Sequence, residues 1–220
     1  MITGLRPATF ENLQLNAGIF DMAIGLGKMF GFRFLENFNY SSIANAGALK
    51  TALETAISAG TTILGATIGD GTFVCTPSIR QIEANGMRYP IKGSTVNDMW
   101  TVKMTGTMKE VNPANFKRAI PGATISGASP KTTIKVNTDI ASSDYITSLV
   151  WVGDTSKGYC LIKLDNALNT SGATFTFKDK GEGSIPFEFQ AHCASLSDMA
   201  NAPCEIVFFE NVTSGGGGMA

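Results

Sequence analysis

The clearest alternation of apolar and polar residues lies between Gly71 and Val111, and it predicts a long hairpin of two β-strands. In the second half of this stretch the apolar residues fall at even positions, namely Trp100, Val102, Met104 and Met108. The positions between them are polar and hold Thr101, Lys103, Thr105, Thr107 and Lys109. Successive side chains of a strand point to opposite faces, so this pattern indicates one buried and one solvated face.

The first half of the hairpin changes its alternation. Its apolar residues switch from odd to even positions between Ile79 and Ile82. A one-residue slip reverses every later side chain, so we expect a bulge or bend near Arg80–Gln81. The two strands are joined by Asn85–Asn97, which is too long for a two-residue turn and predicts a projecting loop.

The chain before the hairpin predicts one strand and one helix. Leu13–Ile24 has the composition of a first strand, whereas Gly25–Tyr40 is rich in Gly and Phe and gives no clear assignment. Ile43–Ala59 carries apolar residues at helical spacing, Ser41–Ser42 offers an N-cap, and Gly60 is a suitable end.

The chain after the hairpin predicts a short helix followed by several strands. Asn112 is suited to cap the helix, Pro113 fits its first turn, and Pro121–Gly122 ends it. The strand candidates are Thr132–Val136 (an edge strand), Tyr145–Val152 (central, because it is apolar on both faces), Tyr159–Leu164 after a turn at Gly153–Gly158, Ala173–Lys178, Ser184–His192 and Cys204–Glu210. Pro186 favours an edge position or a ladder interruption. Short strands with little helix between them indicate a β-sandwich or barrel.

Composition narrows the function classes. The 220 residues suit one domain with a real core, since 44% are hydrophobic. Only 16% are charged, against a typical value of about 25%, which suits a surface covered by copies of the same chain. A net charge of −1 provides no basic excess for tight binding to nucleic acid.

The residues that carry chemistry do not form a recognisable catalytic or metal motif. Gly25–Gly31 superficially resembles a phosphate-binding loop, but Met22 and Met29 stand where Gly and Ser/Thr are needed. His192 precedes Cys193 directly, and neighbours in a strand point apart, so they are not expected to form a nucleophile pair. Nothing selects a pair among the carboxylates Asp165, Asp179, Glu182, Glu188 and Asp198. We therefore expect no enzyme, no cofactor and no metal site.

The cysteines and the N-terminus indicate folding in a reducing compartment. Cys75, Cys160, Cys193 and Cys204 are widely spaced in apolar runs, and we expect four buried, reduced thiols. The N-terminal residues lack the apolar core of a signal peptide, and charged residues interrupt Leu13–Phe34, so we expect no membrane span.

Several segments together resemble the major tail protein, or tail tube protein, of long-tailed bacteriophages of the siphophage type. They are LQLNAGIFDMAIG at the N-terminus, the sequence from Gly65 through Val111, the helix segment NPANFKRAIPGA, GYCLIKLDNAL, SIPFEFQAHC and the final CEIVFFE. The similarity covers roughly residues 13–210. It divides the chain into an N-terminal arm (1–12), a β-sandwich domain (13–212) with an insert or long connection at 25–70, and a Gly-rich C-terminal tail (213–220).

The resemblance implies a structural virion protein whose copies form stacked rings, with six copies in each ring, around a lumen that conducts the genome during ejection. The implied partners are other copies of the chain, tape-measure and tail-terminator or tail-tip proteins, and double-stranded DNA that passes without specific binding. The implied location is the phage tail, assembled in the host cytoplasm. The candidate contact with the next ring is the loop Asn85, Gly86, Met87, Arg88, Tyr89, Pro90, Ile91, Lys92, Gly93 and Ser94.

Three points stay open at the level of sequence. The polar face of Thr101–Lys109 is expected to face either the lumen or a neighbour, and in a lumen its lysines need acidic residues such as Glu83, Asp98 or Glu110 to offset them. An inner tube of a contractile tail, a bacteriocin-like particle or a secretion system shares the same fold. A soluble carbohydrate-binding β-sandwich is the alternative from another class, and it requires an exposed aromatic platform, whereas Trp100 and Trp151 lie at positions expected in the core.

Overall fold

The computed structural model describes residues 23–24, 33–59, 64–155, 157–175 and 183–211. In these ranges the strands are β1 (Ala23–Ile24), β2 (Arg33–Glu36), β3 (Thr72–Gln81), β4 (Thr95–Met108), β5 (Ala123–Ala128), β6 (Lys131–Val136), β7 (Ile146–Thr155), β8 (Gly158–Asn169), β9 (Ile185–Gln190) and β10 (Cys204–Glu210). The helices are α1 (Ala46–Ala59) and α2 (Pro113–Ala119), with single 3-10 turns at Ser142–Asp144 and Leu196–Ala200. The expected mainly β, sandwich-like fold with a short flanking helix is confirmed.

The strands form two antiparallel layers that share one strand. In the first layer, sheet A, β1 and β2 pair with one edge of β7, which pairs with β8, which pairs with β10. In the second layer, sheet B, β3 pairs with β4 and β4 pairs with β9. The last two residues of β8, Leu168 and Asn169, pair with β9. Strand β8 therefore belongs to both sheets and joins them along one side.

The core lies between the two sheets. Alternate residues of β4 and β9 enter it from sheet B, and Phe34, Leu149 and Leu164 enter it from sheet A. The rings of Phe34 and Phe187 meet edge to face with centroids 5.0 Å apart. The buried side chains Val102, Met104, Met108, Ile185, Phe187 and Phe189 complete the layer. This confirms the period-two prediction for the half of β4 that begins at Val102.

Helix α1 covers the outer face of sheet A. Leu49 and Leu53, one helical turn apart, are buried against Val150 and Leu161 in a second apolar cluster. The helix begins later than predicted because Asn45 caps it: the Asn45 side-chain oxygen accepts a hydrogen bond from Ala48 N at 2.9 Å. The predicted cap at Ser41–Ser42 was wrong.

Helix α2 follows the prediction closely. Asn112 Oδ1 accepts a hydrogen bond from Asn115 N at 2.8 Å, and Pro113 occupies the first turn, where no N–H is needed. Arg118 forms a bidentate ion pair with Glu36 of β2. In one of its two hydrogen bonds, Arg118 Nη2 donates to Glu36 Oε2 at 2.8 Å. The pair ties α2 to sheet A.

Most of the later strand predictions are confirmed, with changed ends. Strand β7 is central, β10 has the predicted bounds, and β6 is one strand of a separate two-stranded sheet with β5. Strand β8 extends five residues beyond Leu164, and β7 and β8 occupy most of the predicted turn at Gly153–Gly158. Strand β8 pairs only with Phe189 and Gln190, the last two residues of β9. On that side Pro186 has no ladder partner in β8, as expected for a proline at an edge or a ladder interruption.

Other predictions fall partly or wholly on residues outside the described ranges. Residues 173–175 of the predicted strand Ala173–Lys178 form no strand, and the rest of it is outside. Only Ala23–Ile24 of the first predicted strand is described. The N-terminal segment 1–12, the C-terminal tail 213–220 and Gly25–Gly31 lie outside the described residues. The described part of the insert 25–70 contains β2, which is a strand of sheet A, and α1, which packs on the outer face of that sheet.

Candidate assembly surface

The hairpin of β3 and β4 extends beyond the core, and its outer half, residues 78–100, is called the arm here. The ladder slips between Ser78 and Ile79: Ser78 pairs with Met99, whereas Ile79 pairs with Asn97. Asp98 is the extra residue of this bulge, so the predicted irregularity is present but lies on β4, just before Arg80–Gln81. A bulge bends its strand and increases its twist. It therefore marks the point where the arm leaves the sandwich.

The arm exposes large apolar side chains. The most exposed is Tyr89, at 80%, and Trp100 at the base of the arm is 45% exposed. The others are Ile79, Ile82, Ile91 and Met99. The expectation that Trp100 lies in the core was wrong, because the core ends at Val102, whereas Trp151 is partly buried against the core as expected. Large exposed apolar side chains are thus concentrated on one projecting element, which favours an interaction surface.

Strand β3 presents an open edge along this surface. Among the described strands β3 pairs only with β4, which leaves the other side of its ten residues without a strand partner. An unpaired edge is a template for another strand unless the protein blocks it. Pro77 removes one N–H from the strand.

The loop between the strands consists of two compact turns. Met87 N donates a hydrogen bond to Ala84 O at 3.0 Å, and Ser94 N donates one to Ile91 O at 3.0 Å. Ile82 N donates to Ser94 O at 2.8 Å and closes the loop at its base. All ten candidate residues from Asn85 to Ser94 lie in this loop, whereas Thr95–Asn97 of the predicted loop belong to β4. None of the ten belongs to either apolar cluster.

The charge of Lys103 on the polar face of β4 is compensated by a residue that sequence reasoning did not connect to it. Lys103 Nζ lies 2.8 Å from Glu188 Oε1 on the neighbouring strand β9. The hydrogen bond from Lys103, followed by one from Thr170, lowers the pKa of Glu188. Two of the acidic residues expected to offset the lysines are engaged elsewhere: Asp98 pairs with Arg80, and Glu110 accepts a hydrogen bond from Ala66 N.

The same face is rich in hydroxyl groups. Thr72 and Thr105 share a hydrogen bond of 2.7 Å between their Oγ1 atoms, and Thr101 and Thr107 lie on the same side of β4. Neither described helix packs on this side; α1 covers sheet A. Within β4 this face therefore combines neutral hydroxyls with Lys103, whose charge is compensated, whereas Lys109 follows the end of the strand.

Among the described residues, those considered for chemistry do not assemble into a reactive site. His192 Nδ1 lies 3.2 Å from Asn166 O, and its ring packs edge to face against Tyr145. Glu188 is paired with Lys103, Asp165 with Lys163, and Asp198 accepts from Ser195, while Asp179 and Glu182 lie outside the described residues. The described residues contain no cluster of three or more His, Cys, Asp or Glu that could hold a metal ion.

The cysteines differ from the expectation. Cys160 is buried and burial raises its pKa, but Cys75 is exposed, and Cys193 and Cys204 are half-buried. Four buried thiols were predicted because all four lie in apolar runs. The hydrophobic alternation and the composition of the sequence do not show where β3 extends beyond the core, and Cys75 lies at that point.

The sequence carried a partial signal for the exposed arm, namely the long hairpin predicted between Gly71 and Val111. Its second strand, β4, has 14 residues, which corresponds to about 48 Å of strand, whereas typical strands have about five or six residues. Such a strand is longer than the layer it packs on, so one end must project.

No family model and no curated protein matches this chain. In the part of the chain that the structure describes, none of the helices has the length and apolarity needed to cross a membrane.

Proposed function

We propose that this chain is a structural subunit without catalytic activity, and that its copies assemble into the stacked rings of a siphophage-type tail tube. The observation that carries the proposal is the arm: a two-stranded projection with exposed apolar side chains and an open strand edge. Its partners would be further copies of the chain, tape-measure and terminator or tip proteins, and DNA in transit. Its location would be the virion tail, after assembly in the host cytoplasm.

The arm favours self-assembly on energetic grounds. Burial of apolar surface stabilises an interface by about 25 cal/mol per Å² before association costs. In the proposed ring the arm of one copy contacts a different surface of the next copy, so the contact is head-to-tail. Such heterologous contacts close into rings when the rotation permits and otherwise extend as filaments.

The polar face of sheet B suits the lining of a channel for DNA. An uncompensated lysine next to a phosphate contributes to salt-dependent binding, which would retard a moving duplex. Glu188 compensates Lys103, and the surrounding threonines are neutral. We therefore assign this face to the lumen in the proposed tube.

The experiment is electron microscopy of the purified chain across a concentration series, with two matched variants. Ile79→Asp places a charge on the arm, and Ile140→Asp places the same charge on an isoleucine of similar exposure (63% and 53%) outside the arm. We expect rings or tubes from the unmodified chain and from Ile140→Asp, and folded monomers from Ile79→Asp.

Two results would contradict the proposal. Tubes from Ile79→Asp at the same concentration as from the unmodified chain would remove the arm from the interface. An unmodified chain that stays monomeric over the whole series would contradict autonomous assembly. Co-purification with a sheath protein would instead assign the tube to a contractile particle, bacteriocin-like particle or secretion system.

A second candidate, a carbohydrate-binding module, is favoured by one observation. Trp100 and Tyr89 are exposed on the arm, and aromatic faces can bind sugar rings. Strong acrylamide quenching that a defined glycan protects, with loss of glycan binding in Trp100→Ala, would support this candidate. Absence of glycan binding together with tube formation would exclude it.

A further inference from the structure

Two cysteines from different sheets face the same interior space. Cys75 of β3 pairs with Val102 of β4, and Cys204 of β10 pairs with Leu164 of β8. Residues directly opposite each other in an antiparallel ladder project to the same face. Val102 and Leu164 are both buried in the core between the sheets. The register therefore turns both thiols toward the space between sheet A and sheet B.

The two thiols meet at the rim of this space. The thiol of Cys75 lies close enough to Cys204 to influence its ionisation, and Cys204 also packs against the core. Strand β3 is an edge strand of sheet B, whereas β10 pairs with β8 in sheet A. No ladder joins β3 to β10. Cys75 is exposed and Cys204 is half-buried, so a solvent-borne oxidant can reach the pair from the side of Cys75.

We propose that Cys75 and Cys204 are a modification site that forms a reversible disulfide between β3 and β10 when the chain meets a disulfide oxidant of the glutathione class. The Cys75 thiolate attacks one sulfur of the oxidant, forms a mixed disulfide and releases one small thiolate. The Cys204 thiolate then attacks Cys75 Sγ and displaces the second small thiol. The two protein thiols lose two electrons and two protons, and one oxidised glutathione becomes two reduced molecules.

The bridge would connect the two sheets at a place where the described strands provide no backbone pairing. It closes a loop of roughly 130 residues, and long loops give the largest restriction of the unfolded chain. In a reducing cytoplasm the thiols would stay reduced, and oxidation would follow exposure to an oxidising medium. The inference does not depend on the proposed function, because both cysteines belong to one chain.

The rate of closure should depend on pH through Cys204. Burial, followed by the proximity of Cys75, raises the pKa of Cys204 to about 11. Its thiolate is the attacking species in the second step, so below pH 11 closure should accelerate about tenfold for each pH unit. Accumulation of the mixed disulfide at neutral pH, and its decay at pH 9, would report this step.

The test uses the full chain with oxidised glutathione, followed by alkylation, proteolysis without reductant and mass spectrometry. We expect a linked pair of peptides containing Cys75 and Cys204, and a rise of about 5–10 °C in Tm that reductant reverses. Cys193→Ser and Cys160→Ser should retain the link. Cys75→Ser should lose it while keeping the circular dichroism spectrum of the unmodified chain, because Cys75 is exposed.

Three results would overturn the proposal. The first is glutathione that remains on Cys75 at pH 9 with no internal link. The second is a bridge between the Cys75 residues of two chains in place of the internal one. The third is an unchanged Tm after complete formation of the Cys75–Cys204 link.

Discussion

Gly106 of β4 lies directly opposite Phe187 of β9, and a Cβ atom at Gly106 would stand 2.6 Å from Cζ of the phenylalanine ring. Gly106 thus stands at a position of β4 where the alternation calls for an apolar side chain. The ring of Phe187 from the neighbouring strand fills that space. Phe187 also contacts Phe34 of sheet A, so the ring cannot move away without disturbing both sheets.

Gly106→Ala should therefore destabilise the fold by about 1–3 kcal/mol, the usual range for an overpacked core. Urea unfolding of the two chains measures the difference. Gly47→Ala is the control: Gly47 lies in the first turn of α1 with only Asn45 Oδ1 near, at 3.4 Å, and alanine should be neutral or stabilising by up to about 1 kcal/mol. Equal effects of the two substitutions would contradict the close packing at Gly106.

Asn169→Ala should cost about 2 kcal/mol, because it leaves buried backbone groups without partners. Asn169 Nδ2 donates to Ala119 O at 2.6 Å, and its Oδ1 accepts from Glu188 N at 2.9 Å. The side chain is 1% exposed, so water cannot replace it readily. Thermal unfolding measures the loss, and Asn85→Ala on the exposed loop should stay within about 0.5 kcal/mol. A loss no larger than that of Asn85→Ala would show that the two backbone groups find other partners.

The ion pair between Glu36 and Arg118 should contribute more to stability than the pair between Arg80 and Asp98. The first pair joins α2 to β2 with side chains 16% and 25% exposed, whereas the second has side chains 60% and 43% exposed. Solvent screens the second pair, whose removal should cost about 0–1 kcal/mol. Glu36→Ala should cost about 1–3 kcal/mol of folding free energy, because it leaves the half-buried guanidinium of Arg118 without its carboxylate partner. Double-mutant cycles for both pairs provide the comparison, and equal coupling energies would refute it.

Glu188 should make stability depend on pH in the acidic range. Lys103 lowers the pKa of Glu188 in the folded chain below its ordinary value of 4.5. The stabilisation is therefore present above pH 4.5 and is lost as the pH falls through the folded pKa. A Tm profile from pH 6 to pH 3 should be flatter for Glu188→Gln than for the unmodified chain. Glu83→Gln, on the exposed loop, should leave the profile unchanged.

Deletion of Arg88–Ser94 should preserve the folded monomer and abolish tubes. The loop contributes to neither apolar cluster, so its loss removes only its own turns and the hydrogen bond from Ile82 N to Ser94 O at its base. Circular dichroism measures folding and electron microscopy measures assembly. A variant that replaces the same residues with Gly and Ser at unchanged length separates loop chemistry from loop length. Normal tubes from the deletion would exclude the loop from contacts between rings.

The sequence predicted those elements whose signals are local. Asn112 and Pro113 define the start of α2 by short-range chemistry, and Cys204–Glu210 is bounded as predicted. The start of α1 was wrong because three polar residues compete to cap it, and the choice of Asn45 over Ser41–Ser42 depends on where Leu49 and Leu53 can reach sheet A.

The features of the candidate surface that could not be predicted depend on the tertiary structure. Alternation assigns Trp100 and Val102 to one face, but only the extent of sheet A decides that Val102 is buried and Trp100 is not. The partner of Lys103 is 85 residues away in sequence, so no spacing rule could identify Glu188. The proximity of Cys75 and Cys204 is likewise a long-range feature that no spacing rule could identify.

Strand β8 gives the molecule its cooperativity. Because residues 158–165 and Ala167 are paired in sheet A and the last two residues in sheet B, neither sheet can separate from the other without breaking a ladder that contains β8. The amide protons at the centre of β8 should exchange with solvent only through global opening. We therefore expect the two layers to unfold together, with no partly unfolded form in which one layer persists alone.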